Sequence, residues 1–158
     1  FFPDTSIDDC NTLKITRVVQ LGNKAAYIGA KPVNDHQSRG LAVYVASSLE
    51  RRNILVKRAM LPENTTPWDL LVANGELYAL VSEKLPEKNY RNSVYHSADG
   101  DVWTEHFSFN SETFARSFVK QGERFYFALG YELDSKDSEL PSELPLTIGQ
   151  LYKIDVTP

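Results

Sequence analysis

The stretch that decides the fold is Ser97-Ala98-Asp99-Gly100-Asp101-Val102-Trp103. It separates two runs rich in β-forming residues, one holding Tyr95 and one ending at Phe109. An Asp-Gly pair between such runs is a strong hairpin signal, because Gly adopts positive φ and Asp caps its own turn through backbone N–H groups. We therefore predict a strand, a tight turn and a second strand, with Trp103 as the apolar anchor of this hairpin.

A hairpin pattern of two apolar runs separated by a glycine occurs three times along the chain, at Gly22, Gly75 and Gly122. Alignment on these glycines places Val19, Val72 and Val119 in one register and Val18, Leu71 and Phe118 in the next. The second runs contain Tyr27, Tyr78 and Tyr126, and the third runs contain Tyr44, Tyr95 and Tyr152. Fourth runs follow at 54–60 and 103–109, which makes a repeat of four short strands.

A repeat of about 50 residues is typical of propeller blades. We predict an all-β fold, a partial β-propeller of about three four-stranded antiparallel blades at 13–61, 62–109 and 110–158, after an N-terminal arm at 1–12. The third blade should lack its outermost strand. A small antiparallel β-sandwich or barrel is the alternative. Because a closed propeller needs about 4–8 blades, we expect self-association or the remainder of a longer chain.

Residues 97–103 resemble the Asp-box (BNR-like) hairpin, Ser-x-Asp-x-Gly-x-x-Trp, of sialidases and many other β-propellers. The stretch is one residue shorter than that pattern between Asp99 and Trp103. The resemblance covers about three blades and implies a structural turn on the face away from the usual ligand side. No catalytic residue of the family carries over, because the chain has no Arg-Ile-Pro triplet and no tyrosine maps onto the nucleophile.

Ligands of propellers usually meet the central channel where the innermost strands begin. Those beginnings are Thr16-Arg17, Trp68-Asp69 and Arg116-Ser117, and counting back six residues from each glycine makes Thr16, Asp69 and Arg116 equivalent. We predict Arg17, Asp69 and Arg116 as ligand-binding residues, because a guanidinium presents a planar fork of donors. The alternative is that Asp69 and Arg116 pair with each other or face channel water.

A second enzymatic interpretation uses Asp69, Glu63 and Glu112 as paired carboxylates for glycoside hydrolysis. Its alternative is that these acids form a solvated rim. Tyr131, Tyr90 and Trp68 are candidate aromatics for stacking on sugars, although packing between inner strands is the preferred role for Trp68.

The spacing of His36, His96, His106 and the lone Cys10 does not match a metal-binding pattern, so we predict neither a metal nor a cofactor. His96 and His106 are instead expected to approach each other across the outer hairpin. The acidic, proline-bearing loop at 130–145 is long enough to be either a mobile flap or a docking loop for a partner.

The composition limits the classes of partner. A net charge of −4 provides no basic footprint for nucleic acid or an anionic membrane surface. We therefore predict a non-enzymatic binding or interaction module for a glycan or a protein ligand. The alternative is part of a secreted, sialidase-like or other glycan-processing enzyme. The compartment stays unknown, with secretion or a periplasmic location as the candidates. Asn64-Thr65-Thr66 forms a glycosylation sequon, and its alternative interpretation is a polar loop.

Overall fold

Short apolar runs form three antiparallel sheets of three or four strands and one two-stranded hairpin in the computed structural model, which describes residues 14–30, 32–34, 37–38, 40–47, 54–130 and 149–156. The sequence predictions for the arm at 1–12, for Cys10 and His36, and for the long loop with Tyr131 lie outside these residues. Within them, the 3-10 turn Pro86–Lys88 is the helical element, and no helix is long and apolar enough to cross a membrane.

Each sheet is a meander in which consecutive strands pair. The first contains β1 (Lys14–Leu21), β2 (Lys24–Ala30), β5 (Ala42–Ser47) and β6 (Leu55–Arg58), with a small hairpin of β3 (Pro32–Asn34) and β4 (Gln37–Ser38) between β2 and β5. The second contains β7 (Thr65–Ala73), β8 (Glu76–Lys84), β9 (Tyr90–Ser97) and β10 (Thr104–Ser111). The third contains β11 (Ala115–Gln121), β12 (Arg124–Leu129) and β13 (Leu151–Asp155).

The first strands of the three sheets, β1, β7 and β11, are neighbours in chain order, and no ladder joins one sheet to the next among the described residues. The predicted all-β fold is confirmed, and the arrangement is that of a partial β-propeller with two four-stranded blades and one three-stranded blade. The hairpin at 97–103 joins β9 to β10, the outer strands of the second blade.

The alignment on hairpin glycines is wrong by one residue in the second blade. The turns are Gly22-Asn23 between the pair Leu21 and Lys24, and Asn74-Gly75 between the pair Ala73 and Glu76. Glycine is therefore the first turn residue in one hairpin and the second in the other. Asn74 makes this possible because asparagine tolerates the left-handed region, here at a φ of 51°.

The correct strand pairing makes Val19, Leu71 and Val119 equivalent, and likewise Val18, Leu70 and Phe118. Since side chains alternate between faces along a strand, a slip of one residue exchanges the two faces. Tyr27 is thus equivalent to Ala79 and Phe127 rather than to the other second-strand tyrosines. The third-strand tyrosines are equivalent, because Tyr44, Tyr95 and Tyr152 pair with those three positions.

The hydrophobic core consists of two junctions between blades. We call the face of a blade that is turned toward the next blade its forward face, and the opposite one its rear face. At the first junction, forward residues of blade one meet rear residues of blade two; the set is Val19, Ala26, Ile28, Val43, Val45, Leu70, Leu77 and Ala79. At the second, the set is Leu71, Tyr78, Leu80, Val94, Phe118, Phe125, Phe127 and Leu129. Each large side chain buried in this way contributes about 1.5–3 kcal/mol to folding.

A buried asparagine joins the second blade to the third. Asn92 on β9 is 0% exposed, and its Oδ1 accepts hydrogen bonds from Ser82 Oγ and from the backbone N–H of Ala115, both at 2.8 Å. Its Nδ2 donates to Ser111 Oγ at 2.7 Å. The side chain therefore connects four strands, β8 to β11, with its polar atoms satisfied, as a buried amide requires. Asn92 was not among the residues predicted from the sequence.

The turn at 97–103 has the predicted chemistry. Asp99 Oδ1 accepts hydrogen bonds from the backbone N–H groups of Asp101 at 2.8 Å and Val102 at 3.0 Å. These bonds, Val102 first, lower the pKa of the Asp99 carboxyl. Trp103 Nε1 donates to the carbonyl of Gly100 at 3.0 Å, and the indole packs against the junction between blades one and two. The hairpin of the second blade is thus anchored on the first.

We expect the substitution Gly100→Ala to destabilise the protein more than Gly122→Ala does. Both glycines have positive φ, +83° and +59°, which costs an L-residue about 1–2 kcal/mol. A Cβ on Gly100 would lie 2.9 Å from Val45 Cγ1, whereas one on Gly122 meets nothing within 4 Å. Overpacking against blade one should add about 1–3 kcal/mol to the first substitution. Urea unfolding of both variants measures the difference, and equal losses would contradict the packing of this turn on Val45.

Candidate functional site

Each inner strand contains one bulged residue near its start. The pairing of β1 with β2 passes from Ile15 to Arg17 across one step of the partner, so Thr16 is the extra residue. By the same criterion Trp68 is the extra residue of β7 and Arg116 that of β11. A bulge bends its strand and re-aims a side chain, and bulges occur often beside functional sites.

The three bulges converge on one cleft of about 370 Å³, lined by Thr16, Arg17, Leu41, Trp68, Asp69, Arg116 and Ser117. Apart from Leu41, every lining residue is a bulged residue or the one that follows it. The structure thus brings Arg17, Asp69 and Arg116 together. The equivalence of Thr16, Asp69 and Arg116 is wrong in its second member, which is Trp68, because of the one-residue slip at Asn74-Gly75.

Asp69 bonds to all three inner strands. Its Oδ1 lies 3.0 Å from Arg17 Nε of β1 and accepts the backbone N–H of Leu70 at 2.9 Å. Its Oδ2 accepts the backbone N–H of Phe118 on β11 at 3.2 Å. The Asp69 side chain is only 13% exposed, so water weakens these contacts little. The Nε–H of Arg17 donates its hydrogen bond to the carbonyl of Leu70 at 3.1 Å, so β1 and β7 are linked by this bond as well as by the ion pair with Asp69.

The two arginines of the cleft have different surroundings. Arg17 pairs with Asp69, so the alternative pairing of Asp69 with Arg116 does not form. Arg116 is exposed, and its guanidinium carbon lies 5.5 Å from the ring centroid of Trp68. No described carboxylate pairs with Arg116. Two guanidinium groups and one carboxylate give the cleft a formal charge of +1.

Trp68 is held by packing. Its ring stacks on Phe114 with centroids 4.3 Å apart and planes at 17°, while Tyr90 meets Phe114 edge-on at 5.6 Å. The indole Nε1 is buried beside the cleft without a hydrogen-bond partner among the described atoms. The arrangement agrees with the packing role preferred for Trp68, and Tyr90 does not line the cleft.

The other acids predicted for catalysis lie elsewhere. Glu63 and Glu112 are exposed, and neither lines the cleft. Asp69 is the carboxylate of the described lining, and both of its oxygens accept hydrogen bonds or an ion pair from the protein.

The two described histidines meet at the junction of blades two and three, as expected from the hairpin. Their ring centroids are 5.1 Å apart, and His96 Nδ1 lies 3.3 Å from Glu76 Oε2. His106 is the bulged residue of β10 and packs on Phe125 of the third blade, centroid to centroid at 5.8 Å. Within the described part of the chain, no three His, Cys, Asp or Glu side chains are placed to hold a metal ion.

Titration at this junction is shifted by burial. Burial first, then the neighbouring His96 and Lys120, lowers the pKa of His106 below its usual value of 6.5. Burial and the adjacent Glu76 carboxylate raise the pKa of Tyr78 to about 12.

The sequence pattern named every lining residue except Leu41, but it aligned the second blade one residue out of register. Asn-Gly turns place glycine second, so the Asn74-Gly75 pair could have corrected the alignment and identified Trp68 as the counterpart of Thr16 and Arg116. The bulges themselves leave no composition signal that distinguishes them from regular strand.

No family model matches the chain, and no curated protein matches it. Among solved structures, the Bombyx mori GH32 beta-fructofuranosidase BmSUC1 is similar with a TM-score of 0.47 and 15% sequence identity. The match covers 75% of this chain and 29% of that enzyme, so the chain spans less than a third of its length.

We expect Asp69→Ala to lower the free energy of unfolding by about 3 kcal/mol, because two backbone N–H groups lose a charged acceptor. Asp155→Ala is the matched control, since Asp155 also pairs with an arginine Nε, that of Arg124 at 2.9 Å, but both side chains are about half exposed. That loss should stay below about 1 kcal/mol. Chemical denaturation measures both, and equal effects would refute the bridging role of Asp69.

We expect the stability of the protein to fall as pH drops below 6.5, because the unfolded chain protonates His106 before the folded one does. The stabilisation that comes from keeping His106 neutral is complete above pH 6.5. It is lost as the pH falls toward the lowered pKa of His106 in the folded state. His106→Phe should flatten the pH dependence in this window. Thermal unfolding between pH 5 and 8 measures it, and an unchanged slope in the variant would contradict the assignment.

Proposed function

We propose that this chain is a non-enzymatic β-propeller module or fragment that binds a glycan at the cleft where the three inner-strand bulges meet. The observation that carries this proposal is the convergence of a bulge from each blade on one lining. Stability of the fold does not require this convergence, because each bulge interrupts the hydrogen bonding of its own strand pair and leaves one residue unpaired. Arg17, Asp69 and Arg116 are the proposed binding residues.

The three residues have separate roles in this proposal. Asp69 fixes the Arg17 side chain through Nε and leaves the other guanidinium N–H groups for a ligand, since the Arg17 side chain is 48% exposed. Arg116, exposed over Trp68, supplies a second set of donors. Hydroxyl groups of Thr16 and Ser117 complete a lining that suits the many oxygen atoms of a sugar.

The turn at 97–103 supports the finer proposal that the blades are of Asp-box type. In it, Asp99 accepts the bonds that close the turn, and Gly100 occupies the left-handed region. The box has a purely structural role here, since its carboxylate is engaged by its own turn.

The cleft favours binding over hydrolysis, because its described lining holds a single carboxylate and the protein engages both oxygens of that group. Glycoside hydrolysis of the usual kind uses two carboxyl groups across the scissile bond. The described lining offers Asp69 alone, and its oxygens are engaged by Arg17, Leu70 and Phe118. The alternative, a part of a sialidase-like or other glycan-processing enzyme, would have to place a catalytic pair outside this lining.

The test is an array of immobilised neutral and carboxylate-bearing oligosaccharides probed with the wild-type chain and with Arg116→Ala. We expect the wild type to bind a subset of the sugars and the variant to lose about tenfold or more in affinity, the usual effect of removing a charge-assisted hydrogen bond. Arg124→Ala is the control, because Arg124 is also an exposed arginine and lies outside the cleft. Absence of binding by the wild type, or equal losses in both variants, would refute the proposal.

A further inference from the structure

Gly130 lies beside the stem of Arg116, although it does not line the cleft. The pairing of β11 with β12 passes over Arg116 as the extra residue, and Gly130 directly follows the last residue of β12. The backbone N–H of Gly130 donates to the carbonyl of Phe114 at 2.9 Å. This bond holds Gly130 next to the bulge from which the Arg116 side chain leaves the strand.

The backbone at Gly130 does not itself require glycine. Its φ lies outside the positive range, unlike φ at the turn residues Gly22, Gly75 and Gly122. A Cβ at position 130 would instead meet the Arg116 side chain, 3.2 Å from its Cβ and 3.3 Å from its Cδ. Carbon atoms in contact lie about 3.5–4.0 Å apart, so a side chain at position 130 would compete with Arg116 for the same space.

The course of this stem sets the position of the Arg116 guanidinium. Its carbon Cζ lies 5.5 Å from the ring centroid of Trp68, which is within the range of a cation–π contact. Trp68 is in turn fixed by its stack on Phe114. An exposed arginine has many rotamers to lose, and a donor that is already held in place loses less freedom when a ligand binds. Holding Arg116 over the indole should therefore increase affinity.

We infer that Gly130 is a positioning residue of the cleft, because the absence of a side chain there lets Arg116 lie over Trp68. The expected effect on binding rests on the proposed glycan site, whereas the placement of Arg116 is measurable without any ligand. A side chain at position 130 should displace the guanidinium from the indole and weaken binding, without removing a group proposed to contact the ligand.

The variants are Gly130→Ala and Gly130→Val, which add one and three carbon atoms beside the Arg116 stem. The same substitutions at Gly40 are the matched controls, since Gly40 is exposed, its φ is not positive, and a Cβ there meets nothing within 4 Å. Circular dichroism and urea unfolding verify that each variant is folded. The alanine variant keeps the test available if valine unfolds the chain.

Nuclear Overhauser spectroscopy of the free protein tests the placement of Arg116. We expect contacts between the Arg116 side chain and the indole protons of Trp68 in the wild type and in both Gly40 variants. These contacts should weaken in Gly130→Ala and be lost in Gly130→Val. Their absence from the wild type, their persistence at full strength in both Gly130 variants, or an equal loss in the Gly40 variants would overturn the inference.

The array of neutral and carboxylate-bearing oligosaccharides tests the consequence for binding. Gly130→Val should lose about tenfold in affinity, as Arg116→Ala does, and the Gly40 variants should bind like the wild type. Added to Arg116→Ala, Gly130→Val should cost less than about twofold, because a positioning residue acts through the side chain that it places. A tenfold loss that remains in the Arg116→Ala background would refute this role. A wild type that binds no sugar would refute the proposed site, and the Overhauser contacts would still decide whether Gly130 places Arg116.

Discussion

The carboxylate of Asp69 is bonded to β1 through Arg17, to its own strand through Leu70, and to β11 through Phe118. Blades of this architecture have no backbone hydrogen bonds to one another among the described ladders. Side chains must therefore fix the spacing of the inner strands. Hydrogen bonds to a charged acceptor are the strongest noncovalent links available there. This carboxylate links the three inner strands at the point where their bulges line the cleft.

Away from the axis, the blades are held by packing. Alternation along each strand sends one set of side chains forward and the other to the rear, so that the second blade fills two junctions at once. Leu70 and Leu71 illustrate this, because they are neighbours in sequence and lie in different cores. The bonds of Asn92 and the anchoring of the 97–103 turn on blade one supplement the packing at the outer strands.

At the cleft, two residues that are proposed for binding also contribute to stability. Arg17 and Asp69 were predicted as ligand-binding residues, and the structure shows that they link the inner strands. Arg116 has no such partner among the described carboxylates, so its removal would test the proposed binding with little effect on folding. Trp68 was given a packing role from the sequence, and its stack on Phe114 agrees with that role.

Sequence alone determined the strands, the three hairpins, the chemistry of the 97–103 turn and the region where the inner strands begin. These follow from local rules, because turn residues and alternation act over a few neighbouring positions. Tertiary structure alone decided which face each side chain occupies in the second blade, which arginine pairs with Asp69, and which residue bulges. Those outcomes depend on a one-residue register and on distances between segments about fifty positions apart, such as the 49 that separate Asp69 from Phe118. The number of residues between two positions does not determine the distance between them, because that distance is set only when the sheets pack.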